Sequence, residues 1–311
     1  MQDAPVISYV ITVYNKAPYV GFTAESLFTQ EGHLPSEFIF VDDASTDQSV
    51  SVIEAAANGM PNVTIVRNTS NVGPSIRLNQ GVKLARGKYL QFIDSDDIMA
   101  ANASLTMLNL IEKNDADVIY GRWDKTGKSS KELLGTRIDD DASYLVSDSP
   151  MQFWFEQRIL RMTQMVRRDT FTASGGCDEG VFIQDESIAL RLVRVAKRFI
   201  LLDAPVVLVP TVEGELSRNV AQLNHDRFLA LRNMILDFPD MDDQVRRKLY
   251  RHCVSAVWKQ KRYETGMPSA LFSPEFLRYM WSRYVLPPIN ANALKQMSDY
   301  FAQRKGVRRI A

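Results

Sequence analysis

Short runs of β-branched and aromatic residues alternate with amphipathic segments over the first 120 residues, and this alternation constrains the fold most. The strand-like runs are 6–13, 38–41, 63–66, 89–93 and 116–120. The segments with apolar residues at helical spacing are 17–29, 47–57, 74–85 and 103–114. Because strands and helices alternate at this spacing, the sequence predicts βαβ units and an α/β fold with a mostly parallel sheet.

Polar or acidic residues directly follow three of the predicted strands. Thr12 and Tyr14 end the first strand, Asp43 follows the second, and the acidic run 94–97 follows the fourth. Ligands of open α/β sheets bind beyond the carboxyl ends of the strands. Because parallel strands end at the same edge, we expect these clusters to share one rim of the sheet.

The acidic run contains three carboxylates in four positions, Asp94, Asp96 and Asp97. Like charges at this spacing repel each other unless a cation or strong hydrogen-bond donors compensate them. Hard oxygen ligands suit Mg2+ or Mn2+, which share their coordination shell with substrate phosphates. The alternative is a solvated turn in which an aspartate caps the next helix. The buried strand that precedes the run favours the metal site.

The second cluster and the third helix offer groups for a nucleotide. Asp43 could accept a hydrogen bond from a nucleobase N–H, and the N-terminus of the following helix would favour a phosphate. Ser45 or Asp47 would cap that helix. Arg77 could bind a diphosphate through its planar guanidinium, although an ordinary surface arginine is the alternative for this residue alone.

The second half of the chain changes character twice. Residues 121–150 are polar and acidic, which predicts a mobile or acceptor-facing insert, and 151–215 return to mixed structure. After about residue 220 the pattern predicts helices at 227–238, 243–263 and 274–284. These helices carry many basic and aromatic residues. They could form a peripheral membrane surface, a dimer interface or a solvated face with its aromatic residues packed inward.

Two adjacent carboxylates begin a predicted helix at 185–197. Asp185 and Glu186 could be helix-start charges that the dipole favours. Alternatively, one of them could be a general base, which must lie within about 3 Å of the proton that it removes. The residues by themselves leave this choice open.

Composition and missing motifs exclude several classes of function. The chain has 37 basic and 37 acidic residues, so it lacks the positive charge of a dedicated nucleic-acid binder. Two cysteines cannot form a disulfide framework, and three histidines are too few for a histidine-built zinc site. Neither a dinucleotide-binding nor a P-loop glycine motif follows the first strand. We expect a cytoplasmic protein, because no signal peptide or apolar run of membrane-spanning length is present.

Four ordered segments resemble the N-terminal half of family-2 glycosyltransferases, which are inverting enzymes of the GT-A fold. The matching segments are 10–16, 41–47, 71–81 and 87–97. The resemblance covers residues 6–123, continues more weakly to about 219 and then stops. It implies a Rossmann-like, mixed and mostly parallel sheet flanked by helices, with a helical C-terminal extension. The expected domains are 1–219, with a donor half to about 120 and an acceptor half from 121, and 220–311.

The resemblance also implies a donor site. The residues expected to bind the donor are Thr12, Tyr14, Asp43, Arg77, Asp94, Asp96, Ser217 and Arg218. Asp94, Ser95 and Asp96 resemble the family's D-x-D signature, and by that likeness Asp96 and Asp97 would serve the ribose and a diphosphate bound to Mn2+ or Mg2+. Ser217 and Arg218 resemble a segment that closes over the donor phosphates. Many relatives have a histidine where this chain has Val212.

On the acceptor side, Gly176 resembles part of the family's glycine-rich loop. Asp185 matches the catalytic base, although its neighbour Gln184 replaces the first acid of the family's Glu-Asp pair. Glu186 is the competitor for the role of base. Because successive helical residues do not share a face, only one of the two is expected to reach the reacting hydroxyl.

The implied function is an inverting, metal-dependent transfer of a hexosyl or N-acetylhexosaminyl group. The donor would be a nucleoside-diphosphate sugar, above all a UDP-sugar, and the acceptor a hydroxyl of a glycan or lipid-linked molecule in surface polysaccharide synthesis. The alternative function is a catalytically silent module that binds a nucleotide-sugar or glycan. Further expectations are peripheral contact with the inner face of the cell membrane, homo-oligomerisation through the C-terminal helices and no nucleic-acid partner.

Overall fold

A computed structural model describes residues 4–157, 162–211, 219–304 and 307–308. The chain forms two compact units. The first comprises Met1–Cys177 and Arg191–Glu213, and the second comprises Asp178–Leu190 and Gly214–Ala311. Residues 212–218, which include the predicted donor-binding residues Ser217 and Arg218, lie outside the described part of the chain.

The first unit is built on one mixed β-sheet. Its strands are β1 (Ile7–Val13), β2 (Ser36–Asp42), β3 (Val63–Arg67), β4 (Tyr89–Phe92), β5 (Ile98–Met99), β6 (Val118–Lys125), β7 (Tyr144–Ser147), β8 (Gln164–Arg167) and β9 (Phe199–Val209). Their order is β3-β2-β1-β4-β8-β6-β9-β5, and β7 also pairs with β9. Strands β1 to β4 pair in parallel, whereas β8 is antiparallel to both β4 and β6. The predicted α/β fold with a mixed sheet is confirmed.

Helices cover the sheet of the first unit. They are α1 (Val20–Phe28), α2 (Ser49–Ala57), α3 (Pro74–Leu84), α4 (Ala103–Lys113), α5 (Ser130–Leu133), α6 (Pro150–Gln157) and α7 (Arg168–Ser174). The core lies between these helices and the sheet, and it includes the fully buried side chains of Tyr9, Ile11 and Phe40. Helix α3 packs very closely, because a Cβ atom at Gly81 would lie 2.4 Å from Val10 Cγ1. Only glycine permits this approach, which fixes α3 against β1 and β2.

The segment 121–150 is more regular than its polar composition predicts. Strand β6 continues to Lys125, and helix α5 begins with a capping box in which Ser129 and Glu132 satisfy each other's backbone N–H groups. Strand β7 then pairs with β9. Pairing with β9 satisfies the backbone of β6 and β7, so these strands form despite their exposed side chains.

Helix α8 (Gln184–Val195) begins in the second unit, whose regular elements in the described residues are all helices. The other helices are α9 (Val220–Asp237), α10 (Asp243–Ala270), α11 (Pro274–Tyr284) and α12 (Ala291–Ala302). Helix α10 contains a kink at Gly266, where φ is 73°. The sequence did not predict α12, whose Phe301 stacks on Phe228 of α9. Within the described residues, no helix is both long and apolar enough to cross a membrane.

Candidate functional site

The ends of β1 and β2 bring two of the predicted polar clusters together. The Asp43 N–H donates to Val13 O over 2.8 Å, so Asp43 lies beside the last residue of β1, which is the direct neighbour of Thr12 in the chain. Thr12 and Tyr14 are half-buried at this edge. Asn15, in the left-handed region with φ 51°, accepts a 2.8 Å hydrogen bond from Thr46 N. The loops after β1 and β2 are therefore tied to each other.

The Asp43 carboxylate is buried and receives three hydrogen bonds. Val72 N and Arg77 Nε donate to Oδ1 over 2.9 and 2.7 Å, and Gly73 N donates to Oδ2 over 2.8 Å. An ionised carboxylate has about four lone-pair positions, so one remains on Oδ2. This arrangement can accept one N–H from a ligand while the protein holds the carboxylate in place.

Arg77 is only 7% exposed, so the alternative interpretation as a surface arginine is wrong. Its guanidinium binds Asp43 and also donates to Ser70 O over 2.6 Å and Gln80 Oε1 over 3.0 Å. The close packing of α3 on the sheet buries the first turns of this helix and leaves the guanidinium facing Asp43. The structure therefore shows Arg77 as the partner of Asp43, with three of its five N–H groups bound inside the protein.

The acidic run follows β4 as a tight turn, in which Asp97 N donates to Asp94 O over 3.1 Å. Asp97 is buried, and Asp96 forms an ion pair with Lys16. Sequence analysis missed Lys16, although it lies in the motif that follows β1. Ser49 Oγ accepts a 2.7 Å hydrogen bond from Lys16 N, which fixes the backbone of this residue. A cationic group and the acidic run thus lie at the same edge of the sheet.

The acidic run does not form a complete metal cage. The described residues contain no group of three or more His, Cys, Asp or Glu side chains that could hold a metal ion. Mg2+ and Mn2+, however, commonly bind one or two carboxylates and complete their shell with water and substrate phosphates. Asp96 already has a cationic partner, the Lys16 ammonium group, which shows that its surroundings accommodate positive charge. The donor set fits a divalent cation that arrives with a diphosphate.

The glycine-rich loop after α7 contacts helix α3. Gly176 has φ +70°, and a Cβ atom there would lie 2.5 Å from Asn79 Oδ1. The Asn79 amide binds both backbone groups of Cys177, accepting from N over 2.9 Å and donating to O over 3.0 Å. Asn79 therefore positions the loop, a role that no local pattern in the sequence could reveal.

In the second unit, α9 holds Glu186 of α8. Glu186 is buried and accepts two hydrogen bonds from Arg227, from Nε over 3.0 Å and from Nη2 over 2.7 Å. Burial raises the pKa of the Glu186 carboxyl, and the neighbouring Arg227 guanidinium opposes this effect. The bidentate geometry commits both carboxylate oxygens to the arginine.

A second contact with α9 holds the residue just before α8. Ile183 N donates over 2.8 Å to Oδ2 of Asp226, a fully buried residue. The other oxygen, Oδ1, accepts from Gln222 Nε2 over 2.9 Å and lies 2.7 Å from His225 Nδ1. Asp185 is half-buried and lies between these two fixed positions. The first turn of α8 is therefore anchored on both sides of Asp185.

Comparison with known proteins places the chain in a family. The model of Glycosyl transferase family 2 matches residues 8–178, more than half of the chain, and the chain belongs to this family. The poly(ribitol-phosphate) beta-glucosyltransferase of Bacillus spizizenii is 35% identical over 120 residues, which are 37% of this chain and 19% of that protein. The chain spans less than half the length of the curated relatives that it matches first.

Solved structures resemble nearly the whole chain. S. aureus TarS 1–349 in complex with UDP-GlcNAc has a TM-score of 0.65 at 16% identity, covering 98% of this chain and 99% of that chain. The mannosyltransferase PcManGT from Pyrobaculum calidifontis, in complex with GDP-Man and Mn2+, has a TM-score of 0.59 at 16% identity, covering 97% and 88%. At this level of identity the likeness shows the fold, and it confirms the predicted GT-A architecture.

Proposed function

We propose that the chain is an inverting glycosyltransferase that uses a nucleoside-diphosphate sugar. The observation that carries this proposal is the edge of the sheet where the buried Asp43 carboxylate and the Lys16–Asp96 ion pair follow adjacent strands. The Asp43 carboxylate can accept a hydrogen bond from an N–H of a nucleobase. Lys16 can compensate the charge of a phosphate, and Asp96 can compensate the charge of a metal ion. Thr12 and Tyr14 would line the same pocket.

The proposed donor is a UDP-sugar that supplies a hexosyl or N-acetylhexosaminyl group. The single remaining acceptor position of Asp43 matches the single N–H on the pairing edge of uracil. Arg77 holds this carboxylate in place through its 2.7 Å hydrogen bond, which is its proposed role in place of direct diphosphate binding. The UDP-GlcNAc complex of TarS, a protein of the same fold, supports this donor class.

Asp96 and Asp97 are the proposed ligands of Mn2+ or Mg2+, and Asp94 begins the turn that presents them. When bound, such a cation stabilises the negative charge of the leaving diphosphate as a Lewis acid. Lys16 compensates Asp96 and would keep the turn in place before the donor binds. The Mn2+ complex of PcManGT supports divalent metal use in this fold. Ser217 and Arg218 remain proposed donor-binding residues from the family likeness alone.

Asp185 is the proposed general base, and Gly176 belongs to the proposed acceptor-binding loop. The base removes the proton of the acceptor hydroxyl as that oxygen attacks the anomeric carbon, which typically contributes 10²–10⁴-fold. Asp185 matches the base of the family in sequence, and Arg227 binds both oxygens of the competing Glu186. Glu186 then has a positioning role at the start of α8.

The proposed acceptor is a glycan or lipid-linked molecule of surface polysaccharide synthesis. The similarity to a glucosyltransferase named for poly(ribitol-phosphate) supports this class. We place the reaction in the cytoplasm, at the inner face of the membrane. We also infer a glycosyltransferase domain in 1–219 and a helical extension in 220–311, through which copies of the chain could associate.

Calorimetry and product analysis test this function together. UDP should bind more tightly than ADP or NAD, and NMR of the product should show inverted configuration at the anomeric carbon. Tighter binding of NAD than of every nucleoside diphosphate would refute the donor assignment. Donor binding without transfer or hydrolysis in Mn2+ would instead identify a silent nucleotide-sugar-binding module.

A further inference from the structure

The C-terminal unit exposes an unusual concentration of large apolar side chains. Of the thirteen exposed large apolar residues in the described chain, eight lie between 263 and 285. They are Tyr263, Met267, Leu271, Phe272, Leu277, Trp281, Tyr284 and Val285. Scattered apolar residues are normal on protein surfaces, whereas a concentration of them indicates a binding surface.

Helix α11 has two distinct faces. On one face, Phe276 packs at a tilt against Trp258 of α10 and Tyr279 stacks on it, with ring centroids 5.0 and 5.8 Å away. On the other face, Leu277, Trp281 and Tyr284 follow helical spacing and are 69%, 50% and 82% exposed. The inner face anchors the helix to α10, so the outer apolar face is not needed to hold it there. We call Leu277, Trp281 and Tyr284 the outer face of α11.

Positive charge accompanies this outer face. Arg278 and Arg283 belong to α11, are exposed and form no hydrogen bond or ion pair within the described residues. Of the nearby acids, Glu275 lies three residues before Arg278 on α11 and forms no ion pair with it, and Glu264 is ion-paired with Arg304. The chain as a whole has equal numbers of basic and acidic residues. The positive charge of these two arginines is therefore specific to this part of the surface. They complement a surface of negative charge.

A cavity lies beside the same helix. Its volume is about 370 Å³, and its lining includes Tyr250, Arg278, Trp281, Pro288 and Asn290. It therefore combines an aromatic and proline wall with one uncompensated guanidinium. Such a cavity can take a phosphate-bearing headgroup, which binds the arginine through charge-assisted hydrogen bonds.

An anionic bilayer fits these features better than a second copy of the chain. Two copies meeting through this face about a twofold axis would bring the same arginines together, which costs free energy. A bilayer surface supplies phosphates to Arg278 and Arg283 instead. Tryptophan and tyrosine are also the residues that prefer the boundary between headgroups and hydrocarbon.

We propose that the outer face of α11 binds the surface of an anionic phospholipid bilayer, with Arg278 and Arg283 contacting lipid phosphates. Leu277, Trp281 and Tyr284 enter the headgroup boundary, and the helix lies along the membrane plane. This contact deepens the proposed function, because it brings the chain to lipid-linked acceptors. Membrane binding itself needs neither donor nor catalysis.

Vesicle flotation tests the proposal with the full chain. We compare vesicles of phosphatidylcholine alone with vesicles in which phosphatidylglycerol replaces about three tenths of the phosphatidylcholine. The wild type should float with the anionic vesicles, and L277S/W281S/Y284S should bind them at least tenfold more weakly. The control L145S/V146S, which alters exposed apolar residues of β7, should bind like the wild type. R278Q/R283Q should lose the part of the binding that salt weakens.

Several outcomes would overturn the proposal. Equal vesicle binding by the wild type and the triple variant would exclude the outer face, and absence of wild-type binding would exclude the membrane. A wild-type dimer that the triple substitution converts to a monomer, without vesicle binding, would assign the face to a second copy. Circular dichroism checks that each variant is folded. UDP binding by calorimetry, which these substitutions should leave unchanged, separates failure of this proposal from failure of the proposed function.

Discussion

Two adjacent carboxylates at the start of α8 have different surroundings, and this difference predicts different mutant phenotypes. Asp185→Asn should keep donor affinity and reduce transfer by roughly 10²-fold or more, because it removes the proposed acceptor of the hydroxyl proton. Glu186→Gln keeps one acceptor oxygen for Arg227, so transfer should change far less while the melting temperature falls. Steady-state kinetics with donor calorimetry measure both effects. If Glu186→Gln loses transfer while Asp185→Asn stays active, the general base is Glu186 and not Asp185.

The Asp43–Arg77 pair gives a prediction about stability. Both side chains are almost fully buried, so Asp43→Ala leaves an uncompensated guanidinium inside the protein. Removal of one partner of such a pair costs about 3–5 kcal/mol of the free energy of unfolding. The exposed pair Arg67–Glu54 is the matched control, and Glu54→Gln should cost about 1 kcal/mol or less. Urea denaturation measures both values, and equal losses would show that burial of the Asp43 pair has no such effect.

At the residue scale, sequence motifs located the site but not its internal pairing. Thr12, Tyr14, Asp43 and the acidic run were all expected at one rim. Lys16 was missed, because its partner Asp96 is 80 residues away in sequence. The Arg227–Glu186 contact was missed for the same reason, since side-chain contacts between distant segments leave no periodic signal.

At the scale of elements, periodicity predicted the strands β1 to β4 and the helices between them to within a few residues. Strand β5 has only two residues, which is too short for any period to appear. The N-cap position of α2 is Gln48, whose side chain makes no capping hydrogen bond. Asp47 instead accepts hydrogen bonds from Ser49 N over 2.9 Å and from Ala17 N over 3.0 Å. Asp47, one of the predicted capping residues, thus accepts the first N–H of α2, and its second partner ties this helix to the segment after β1.

Glu37, on β2, ties elements of the first unit together and predicts a pH dependence. Its carboxylate accepts from Ser8 Oγ over 2.6 Å and from Arg86 N over 2.6 Å. Burial by itself would raise the pKa of Glu37, but these hydrogen bonds and the Arg86 charge outweigh it and lower the pKa below 4.5. A lowered pKa contributes stability above about pH 4.5 that is lost as the pH falls through the folded-state value.

Glu37→Gln should therefore lose about 1–3 kcal/mol of unfolding free energy at pH 7 and progressively less at acidic pH. The difference between variant and wild type should shrink as the pH falls below about 4.5, where Glu37 of the unfolded chain becomes protonated, and should vanish below the lower folded-state pKa. Denaturation at pH 7, 5 and 3 measures this trend. Glu25→Gln, at an exposed position of α1, is the control and should follow the wild type throughout. A difference in unfolding free energy between Glu37→Gln and wild type that stays constant from pH 7 to pH 3 would contradict the lowered pKa of Glu37.

At the scale of the whole molecule, ligand binding should stabilise the folded chain by mass action. At a UDP concentration of 100 times Kd, the gain is about 2.7 kcal/mol, which corresponds to a rise in Tm of roughly 5 °C for a chain of this size. We expect this rise in Mn2+ and a clearly smaller one in chelator, because Asp96 and Asp97 alone do not complete a metal shell. The cation and the diphosphate should therefore bind together.

The acidic run should be required for the part of this rise in Tm that depends on Mn2+. Asp97→Asn should retain the fold and bind UDP in chelator like the wild type, but Mn2+ should add little to its Tm. Asp124→Asn, at an exposed position near the end of β6, removes one negative charge elsewhere and should keep the full increment. Equal Tm shifts in Mn2+ and chelator for the wild type would remove the proposed metal role. An undiminished Mn2+ increment in Asp97→Asn would assign the cation to other oxygen donors, of which Asp94 and Asp96 are the nearest in sequence.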